Sequence, residues 1–329
     1  MSNVILLNEK DLRASVTLDV DAIDCIEQAF RTLATEDVIM PPILRLDIHA
    51  HNGEVDVKTA YLPGLDSFAI KVSPGFFDNP KLGLPSLNGM MMLWSARTGI
   101  LEALLLDNGY LTAVRTAAAG AVAARWLARE DAHRAAVIGA GDQARLQLTA
   151  LTLVRDITSA TVWAPRAEAA QGFAEAMGRE LGIAITPCTD IDQAMADADV
   201  AITTTPSRTP LIQARHLHPG LHITAMGSDA EHKNEIAPDA LAACTYVCDR
   251  LAQVRVLGEL HHAIDAGTVA ADAQPAELGQ VIAAQRPGRS RADEITLCDL
   301  TGTGAQDTAI ANFVHARATA RGLGLSFEA

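Results

Sequence analysis

The chain has 329 residues, about twice the size of a common single domain. Hydrophobic residues make up 49% and charged residues 20%, which excludes wholesale disorder and leaves ample apolar surface for a core. Twenty-six Lys and Arg against 40 Asp and Glu give a formal charge of −14 with no basic patch, which argues against nucleic acid and anionic lipid as partners.

Residues 1–7 lack the basic start of a secretory signal and run straight into Glu9, Lys10 and Asp11, so the chain reads as cytoplasmic. Uncharged stretches such as 82–96 are broken by Pro85, Asn88 and Gly89 and fall short of a bilayer span. The first part, to about residue 110, mixes a helical pattern over Val20–Leu33 with short apolar runs at Ile43–Ile48, Phe68–Val72, Met90–Leu93 and Ala103–Leu106. The last two flank Arg97-Thr98-Gly99 as strand, turn and strand, which predicts an α+β region with an antiparallel sheet. An Ala-rich helix over Thr112–Ala128 comes next, with Arg115 inside it. From Ala135 the pattern alternates: strands at Ala135–Ile138, Ala160–Ala164, Ile183–Thr186, Val200–Thr203, His222–Ala225 and Thr245–Val247, and helices to about Val154, over 166–181 and over 190–196. Such alternation predicts an α/β, Rossmann-type doubly wound parallel sheet. A last helix over Gln306–Ala320 comes after Thr301-Gly302-Thr303-Gly304 and is placed to return to the first domain.

The segment Gly139-Ala140-Gly141-Asp142-Gln143-Ala144 fits G-x-G-x-x-A directly after a buried strand and at the start of a helix. Gly139 permits the tight turn, Gly141 lets the backbone approach a pyrophosphate, and the helix N-terminus attracts the phosphates. The next strand ends in Ala164-Pro165-Arg166, where an NAD enzyme usually places Asp or Glu for the ribose. Without that carboxylate, and with Arg166 available for a 2′-phosphate, NADP is favoured over NAD; the bland reading is that Arg166 merely opens a helix in solvent.

A substrate held beside a nicotinamide needs anchors, and the planar fork of Arg matches a carboxylate. Arg45 and Arg115 are candidates, with a structural salt bridge as the alternative for Arg115. Lys71 interrupts an apolar strand and either snorkels at an edge or is desolvated for proton work. Asp229, in Met226-Gly227-Ser228-Asp229 after a buried strand, is a candidate acid/base, against the commoner reading of a loop or cap Asp.

Together these segments resemble the ornithine cyclodeaminase/mu-crystallin family over nearly the whole chain: Lys71 with the Pro-rich segment after it, Ala113-Val114-Arg115-Thr116-Ala117-Ala118, the Gly139 turn with Gln143, and Gly227-Ser228-Asp229 with Lys233. Pro41-Pro42-Ile43-Leu44-Arg45-Leu46, Phe76-Phe77-Asp78-Asn79 and the stretch from Asp299 to Asp307 further resemble cyclodeaminases of ectoine utilisation. The resemblance implies a substrate-binding and dimerisation domain of residues 1–115 plus 306–329, a Rossmann domain of residues 116–305, a homodimer, and an active site in the cleft. It implies that Arg45, Lys71 and Arg115 bind the carboxylate of a small amino or imino acid and that Asp229 accepts a proton. Ser86, Arg115, Thr116, Gly139, Gly141, Asp142, Gln143, Arg166, Thr204, Met226, Gly227, Lys233 and Thr301 are the implied dinucleotide contacts. Lys58 falls near a place where the family tends to hold apolar residues or a carboxylate for a distal amine. A cation there opposes ornithine and favours a distal carboxylate or acyl group.

Three functions are compatible with these residues. In a cyclodeaminase, hydride leaves the α-carbon, the side-chain amine attacks the imine, ammonia departs and the hydride returns. In an imine reductase or amino acid dehydrogenase the same site runs one half of that sequence, with Lys71 as proton donor. A mu-crystallin-like binding protein would need no proton acceptor. His49 with His51, and His216 with His218, have spacings that put two rings on one face of a strand but lack a third ligand, His261 and His262 are expected to face opposite ways, and no metal is predicted. Five scattered cysteines, Cys25, Cys188, Cys244, Cys248 and Cys298, do not resemble a disulfide framework.

Overall fold

The computed structural model describes residues 3–328 and divides into two units: one runs to Arg115 and resumes at Thr303, the other spans Thr116–Gly302. In the first unit β1 (Asn3–Asn8) leads into α1 (Glu9–Ser15), whose first turn is closed by the Asn8 side chain accepting from the Lys10 and Asp11 N–H groups at 2.9 and 3.2 Å. Asp19 caps α2 (Val20–Thr35) in the same way, and this helix buries Ile23, Ile26, Phe30 and Leu33 at helical spacing. β2 (Leu44–Ile48), β3 (Gly53–Ala60), β4 (Ser67–Phe76), β5 (Met90–Ser95) and β6 (Leu101–Leu106) form an antiparallel meander. β1 joins β6 in parallel, and the last strand, Leu325–Glu328, completes seven strands on the far side of β1.

Register decides what each face of this sheet holds. Leu7, Leu105, Met91, Lys71 and Lys58 stand directly opposite one another in a row across β1, β6, β5, β4 and β3. The three apolar members are fully buried, each worth about 1.5–3 kcal/mol of transfer free energy. The C-terminal helix, Gly304–Ala320, packs on β3 and β4 on this side, and α2 packs against that helix. Its early residues, Gly304, Ala305 and Ala309, are small enough to let it approach the sheet. Residues one register away, Leu6, Leu104, Met92 and Ile70, point to the other face and are only half-buried.

α3 (Tyr110–Leu127) carries the chain into the second unit, where β7 (Arg134–Ile138), β8 (Ser159–Trp163), β9 (Ala184–Cys188), β10 (Val200–Thr203), β11 (His222–Ala225), β12 (Thr245–Cys248), β13 (Ala276–Glu277) and β14 (Thr296–Asp299) form a parallel sheet in the order β13-β12-β14-β11-β10-β7-β8-β9. The sheet grows outward in both directions from β7 and β10, the doubly wound arrangement with its switch point between those two strands. α4 (Asp142–Thr152), α5 (Ala167–Leu181) and α6 (Ile191–Met195) connect its first strands. Val137 and Ile138, adjacent in β7, enter two different apolar clusters, one with Leu148, Val162 and Phe173, the other with Ile223, Leu260 and Leu297.

Several elements differ from expectation. β4 continues four residues past Val72 because Ser73 to Phe76 keep pairing with β3. β3 and β14 carry no readable apolar pattern: β3 turns Asp56 and Lys58 inward, and β14 is four residues long with an acid at its end, although it lies inside the sheet between β11 and β12. Among the described residues no helix is long and apolar enough to cross a membrane.

A Cβ on Gly304 would overlap the Thr59 carbonyl oxygen and lie 2.6 Å from its carbon. Gly304→Ala is therefore expected to push the C-terminal helix off β3 at a cost of about 1–3 kcal/mol. A lowered urea midpoint would show this; an unchanged midpoint would mean that the helix moves freely.

Candidate active site

The buried row turns from apolar to cationic at β4. Lys71 lies inside the sheet between β3 and β5, so it does not snorkel at an edge. Its Nζ donates to Asp307 Oδ1 at 3.0 Å and stands 2.9 Å from Oδ2. Arg115, on α3, donates from Nε to the same Oδ1 at 3.0 Å and from Nη1 to Gln306 Oε1 at 3.2 Å. Gln306 Oε1 also accepts from the Thr303 N–H at 3.2 Å. Lys58 faces Lys71 across the β3–β4 pair, a placement of like charges that costs stability without an anion to share. All four ionic groups are buried.

Burial pushes Lys71 down from 10.5 to about 7, with Arg115 and Lys58 adding to the effect and Asp307 opposing it. Burial works against the Asp307 carboxylate, yet Lys71, Arg115 and Lys58 hold it below the usual carboxylate range. The cluster thus keeps one firm anion among three basic groups, one of which changes charge near neutrality. One polar atom beside it, Gln306 Nε2, is buried without a hydrogen-bond partner.

Arg45 lies elsewhere on the sheet. On edge strand β2 it pairs with Glu54, with Asp47 at 3.1 Å and with Asp56 at 3.8 Å. Asp56 is its register partner and precedes Lys58 by two residues, so Arg45 sits one row along the same face. Ser86 lies in the turn after β4, its carbonyl accepting the Phe76 N–H at 2.7 Å.

In the second unit the predicted dinucleotide residues come after the carboxyl ends of five strands: Gly139 after β7, Arg166 after β8, Thr204 after β10, Met226 and Gly227 after β11, and Thr301 after β14. Gly139 has φ +122°, in the region that favours glycine, and a Cβ on it would lie 2.6 Å from Thr204 Oγ1 across the switch point. A Cβ on Gly141 would meet nothing within 4 Å, and no side chain caps α4, which Gly141 opens ahead of Asp142 and Gln143. An open cradle at a helix N-terminus without a side-chain cap fits a diphosphate. α4 is anchored by Gln147, whose Nε2 donates to the Thr116 carbonyl at 2.9 Å. Arg166 is exposed at the N-cap position of α5. Thr301 is buried, with its hydroxyl engaged by Asp249 and Gln253. Asp229 is half-exposed in the loop after β11, its Oδ1 2.5 Å from Lys233 Nζ.

Sequence reading gave no site role to Asp307 or Gln306, nor to the five buried acids of the second unit, Asp199, Glu235, Asp249, Glu259 and Asp299. The signal for Asp307 was Lys71 itself: a cation inside an apolar strand requires a carboxylate, and Asp307 precedes the apolar run Ala309–Ala311. His261 and His262 do not face opposite ways; their ring centroids are 3.8 Å apart and both donate to loop carbonyls, those of Glu231 and Lys233. His49 and His51 share a single 3-10 turn, not a strand, and His216 lies in another. Among the described residues no group of three His, Cys, Asp or Glu is placed to hold a metal, and all five cysteines are free thiols.

A doubly wound sheet with a glycine turn at its switch point defines a Rossmann-type, dinucleotide-binding class of protein. The pattern of the ornithine cyclodeaminase/mu-crystallin family matches residues 2–322, and the chain belongs to that family. A Rhizobium meliloti (strain 1021) protein with a provisional dehydrogenase name is 63% identical over 328 residues, with all of both chains covered. A Sinorhizobium fredii protein named as an uncharacterized cyclodeaminase is 57% identical over 330 residues, again covering both chains fully. The Thermococcus litoralis Delta(1)-pyrroline-2-carboxylate reductase, solved with NADH and L-proline, matches with a TM-score of 0.93 at 30% identity over 98% of this chain and 99% of that one.

Between about pH 7 and 10.5 the folded chain holds fewer protons on Lys71 than the unfolded chain, so this residue makes stability rise with pH across that window. Urea unfolding at both ends of the window is expected to show a smaller rise in Lys71→Met than in the wild type. Equal rises would mean that Lys71 keeps its ordinary basicity.

Proposed function

We propose that this protein is a nicotinamide-dependent enzyme acting at the α-carbon of a small amino or imino acid, a cyclodeaminase-type ammonia lyase in ectoine-type amino acid breakdown. The observation that carries this reading is the buried Lys71–Asp307–Arg115 cluster, with Lys58 opposite Lys71, in a chain that also builds a dinucleotide cradle. Arg115 and Lys71 bind the substrate α-carboxylate, with Arg45 contributing from the neighbouring row, and Asp307 fixes the two cations in place. Asp229 accepts a proton from the amino group as the carbon–nitrogen bond gains double-bond character. Gly139, Gly141, Asp142, Gln143, Thr204, Met226, Gly227, Lys233 and Thr301, with Ser86, Arg115 and Thr116, hold the dinucleotide, which supplies the hydride acceptor and donor when bound. Arg166 turns the preference towards NADP, since the position directly after β8, where a carboxylate would grip a ribose hydroxyl, holds Ala164. Lys58 disfavours a distal ammonium and suits a distal carboxylate or acyl group, as in diaminobutyrate derivatives or aspartate; a substrate without a free side-chain amine cannot close a ring, so this preference weighs towards the second reading below.

A specific observation favours a second reading. Lys71, at about 7, is able to donate a proton at neutral pH, which is what reduction of an imine such as pyrroline-2-carboxylate or iminosuccinate requires. Cofactor stoichiometry separates the two. The purified protein, given diamino acids with a catalytic amount of NADP+ or NAD+, and in parallel a panel of imino acids with NADPH or NADH, is expected to release ammonia from a diamino acid and to cause no net oxidation at the reduced-nicotinamide band. Net oxidation would establish the reductase, and dinucleotide binding without any turnover would establish a mu-crystallin-like binder. Asp229→Asn is expected to lower kcat by at least about 100-fold while leaving dinucleotide affinity unchanged; wild-type turnover in this variant would remove Asp229 from the mechanism.

The second partner is another copy of the chain. Beyond Leu6, Leu104, Met92 and Ile70, the uncovered sheet face continues through Val72, Val57 and Leu44 to edge strand β2, where Leu44 and Leu46 are 61% and 55% exposed. An apolar surface of that extent marks an association site. Light scattering is expected to give twice the chain mass, falling towards one in Leu46→Asp; a monomeric wild type would refute the dimer.

A further inference from the structure

The second unit buries five acids that the proposed chemistry does not use, Asp199, Glu235, Asp249, Glu259 and Asp299, and three of them form a relay. Asp299, at the end of β14, accepts the backbone N–H of Glu259 at 2.7 Å and the Tyr246 hydroxyl at 2.7 Å. Glu259, in the helix Gly258–Asp265, accepts the backbone N–H groups of Glu235 and Ile236 at 2.9 and 3.1 Å and the Asn234 amide at 2.9 Å. Glu235 in turn accepts four hydrogen bonds: from the Gly227 N–H at 2.8 Å, the Thr205 N–H at 2.6 Å, and the hydroxyls of Thr203 and Thr205 at 2.7 Å each. Each side chain therefore anchors the main chain of the next member, and the last anchors Gly227.

Gly227 opens the loop that bears Asp229. The Glu235 carboxylate lies so close that a Cβ on Gly227 would overlap its Oε2 and the Thr205 carbonyl oxygen. At the far end of the loop the Asn234 N–H donates to the Ser207 carbonyl at 2.8 Å, and the Lys233 carbonyl accepts from Ser228 Oγ at 2.5 Å and His262 Nε2 at 2.8 Å. The same carboxylate that holds Gly227 thus also holds Thr203 and Thr205, on both sides of Thr204. Donors of fixed direction on both oxygens leave Glu235 little freedom, and they fix the loop relative to the end of β10.

We propose that Glu235 is a positioning residue, held by Glu259 and Asp299, that fixes the Asp229 loop to the carboxyl end of β10. The inference rests on Asp229 being the proton acceptor for its catalytic consequence, and on hydrogen bonds alone for its structural one. A carboxylate is required because every partner donates. In Glu235→Gln the amide presents an NH2 group to one side of the array, so either Gly227 or Thr205 loses its backbone hydrogen bond.

Two readouts on the full chain with dinucleotide bound test the proposal. Amide hydrogen exchange at 227–229 is expected to quicken in Glu235→Gln while exchange in β7 stays as in the wild type. In steady-state assays kcat is expected to fall by about 10- to 100-fold with the substrate KM unchanged, and the acidic limb of the kcat–pH profile is expected to move. A simple loss of folded protein lowers kcat in proportion to dinucleotide-binding sites and moves neither the limb nor the loop exchange, and that result would overturn the proposal. Glu259→Gln, one step further back, is expected to change the same readouts in the same direction by less, and serves if Glu235→Gln does not fold. Unchanged loop exchange in the variant that folds refutes the relay whatever the enzyme does. Quickened exchange in a protein without turnover refutes only the assignment of Asp229.

Discussion

The first unit depends on one buried carboxylate. Asp307 holds Lys71 on β4 and Arg115 on α3 from the first turn of the C-terminal helix, so a single side chain ties together parts of the chain nearly 240 residues apart. Taking such ions out of water costs several kcal/mol each, and their attraction offsets that only with good geometry. The row that contains Lys71 shows the less costly alternative: Leu7, Leu105 and Met91 fill the same layer with hydrocarbon. Stability alone does not explain why the row ends in two lysines. An anion arriving beside them reduces the cost, because it adds negative charge where basic groups outnumber acids.

The two sheets position chemistry in different ways. In the first unit, functional side chains project from the face of an antiparallel sheet, where register sets their spacing and a helix seals them from water. In the second, the strands β7, β8, β10, β11 and β14 only deliver the chain to one edge of a parallel sheet, and the candidate residues sit in the turns beyond. Side chains on a sheet face are held by their own strands. Turn residues need a separate restraint, and the buried acids Glu235, Glu259, Asp249 and Asp299 supply it by taking up backbone N–H groups that would otherwise be unpaired.

Legibility in the sequence divides along the same line. The strands β10 and β11 are legible to the residue because each is a short run buried on both faces, and the glycine turn is legible because its spacing and the strand before it agree. β3 is not, since its inward residues Asp56 and Lys58 are the charged ones and the usual alternation is reversed. Lys71 and Arg115 stand out as cations in apolar surroundings, but Asp307 and Glu235 do not, because an acid at a helix start or in a loop is ordinary in sequence and only the fold makes it buried. Arg45 illustrates the converse: a motif identifies it, while register and its carboxylate neighbours set it one row from the Lys71 cluster.

Fixing Asp229 and setting its charge are separate problems, and different groups address them. A loop clamped by Lys or Arg would be rigid, but each added cation would stabilise the Asp229 anion and weaken it as a base. Glu235 avoids this by clamping through uncharged N–H and O–H donors. The cation the structure does place against Asp229 is Lys233, four residues along the same loop and 2.5 Å away, so its influence is tied to the loop's own conformation. Substituting Lys233 alters the electrostatics at Asp229 without touching a single donor of the Glu235 array, whereas substituting Glu235 frees the loop and with it the Lys233 contact, so that position and charge change together. The basicity of the acceptor is therefore adjustable without its position, but not its position without its basicity.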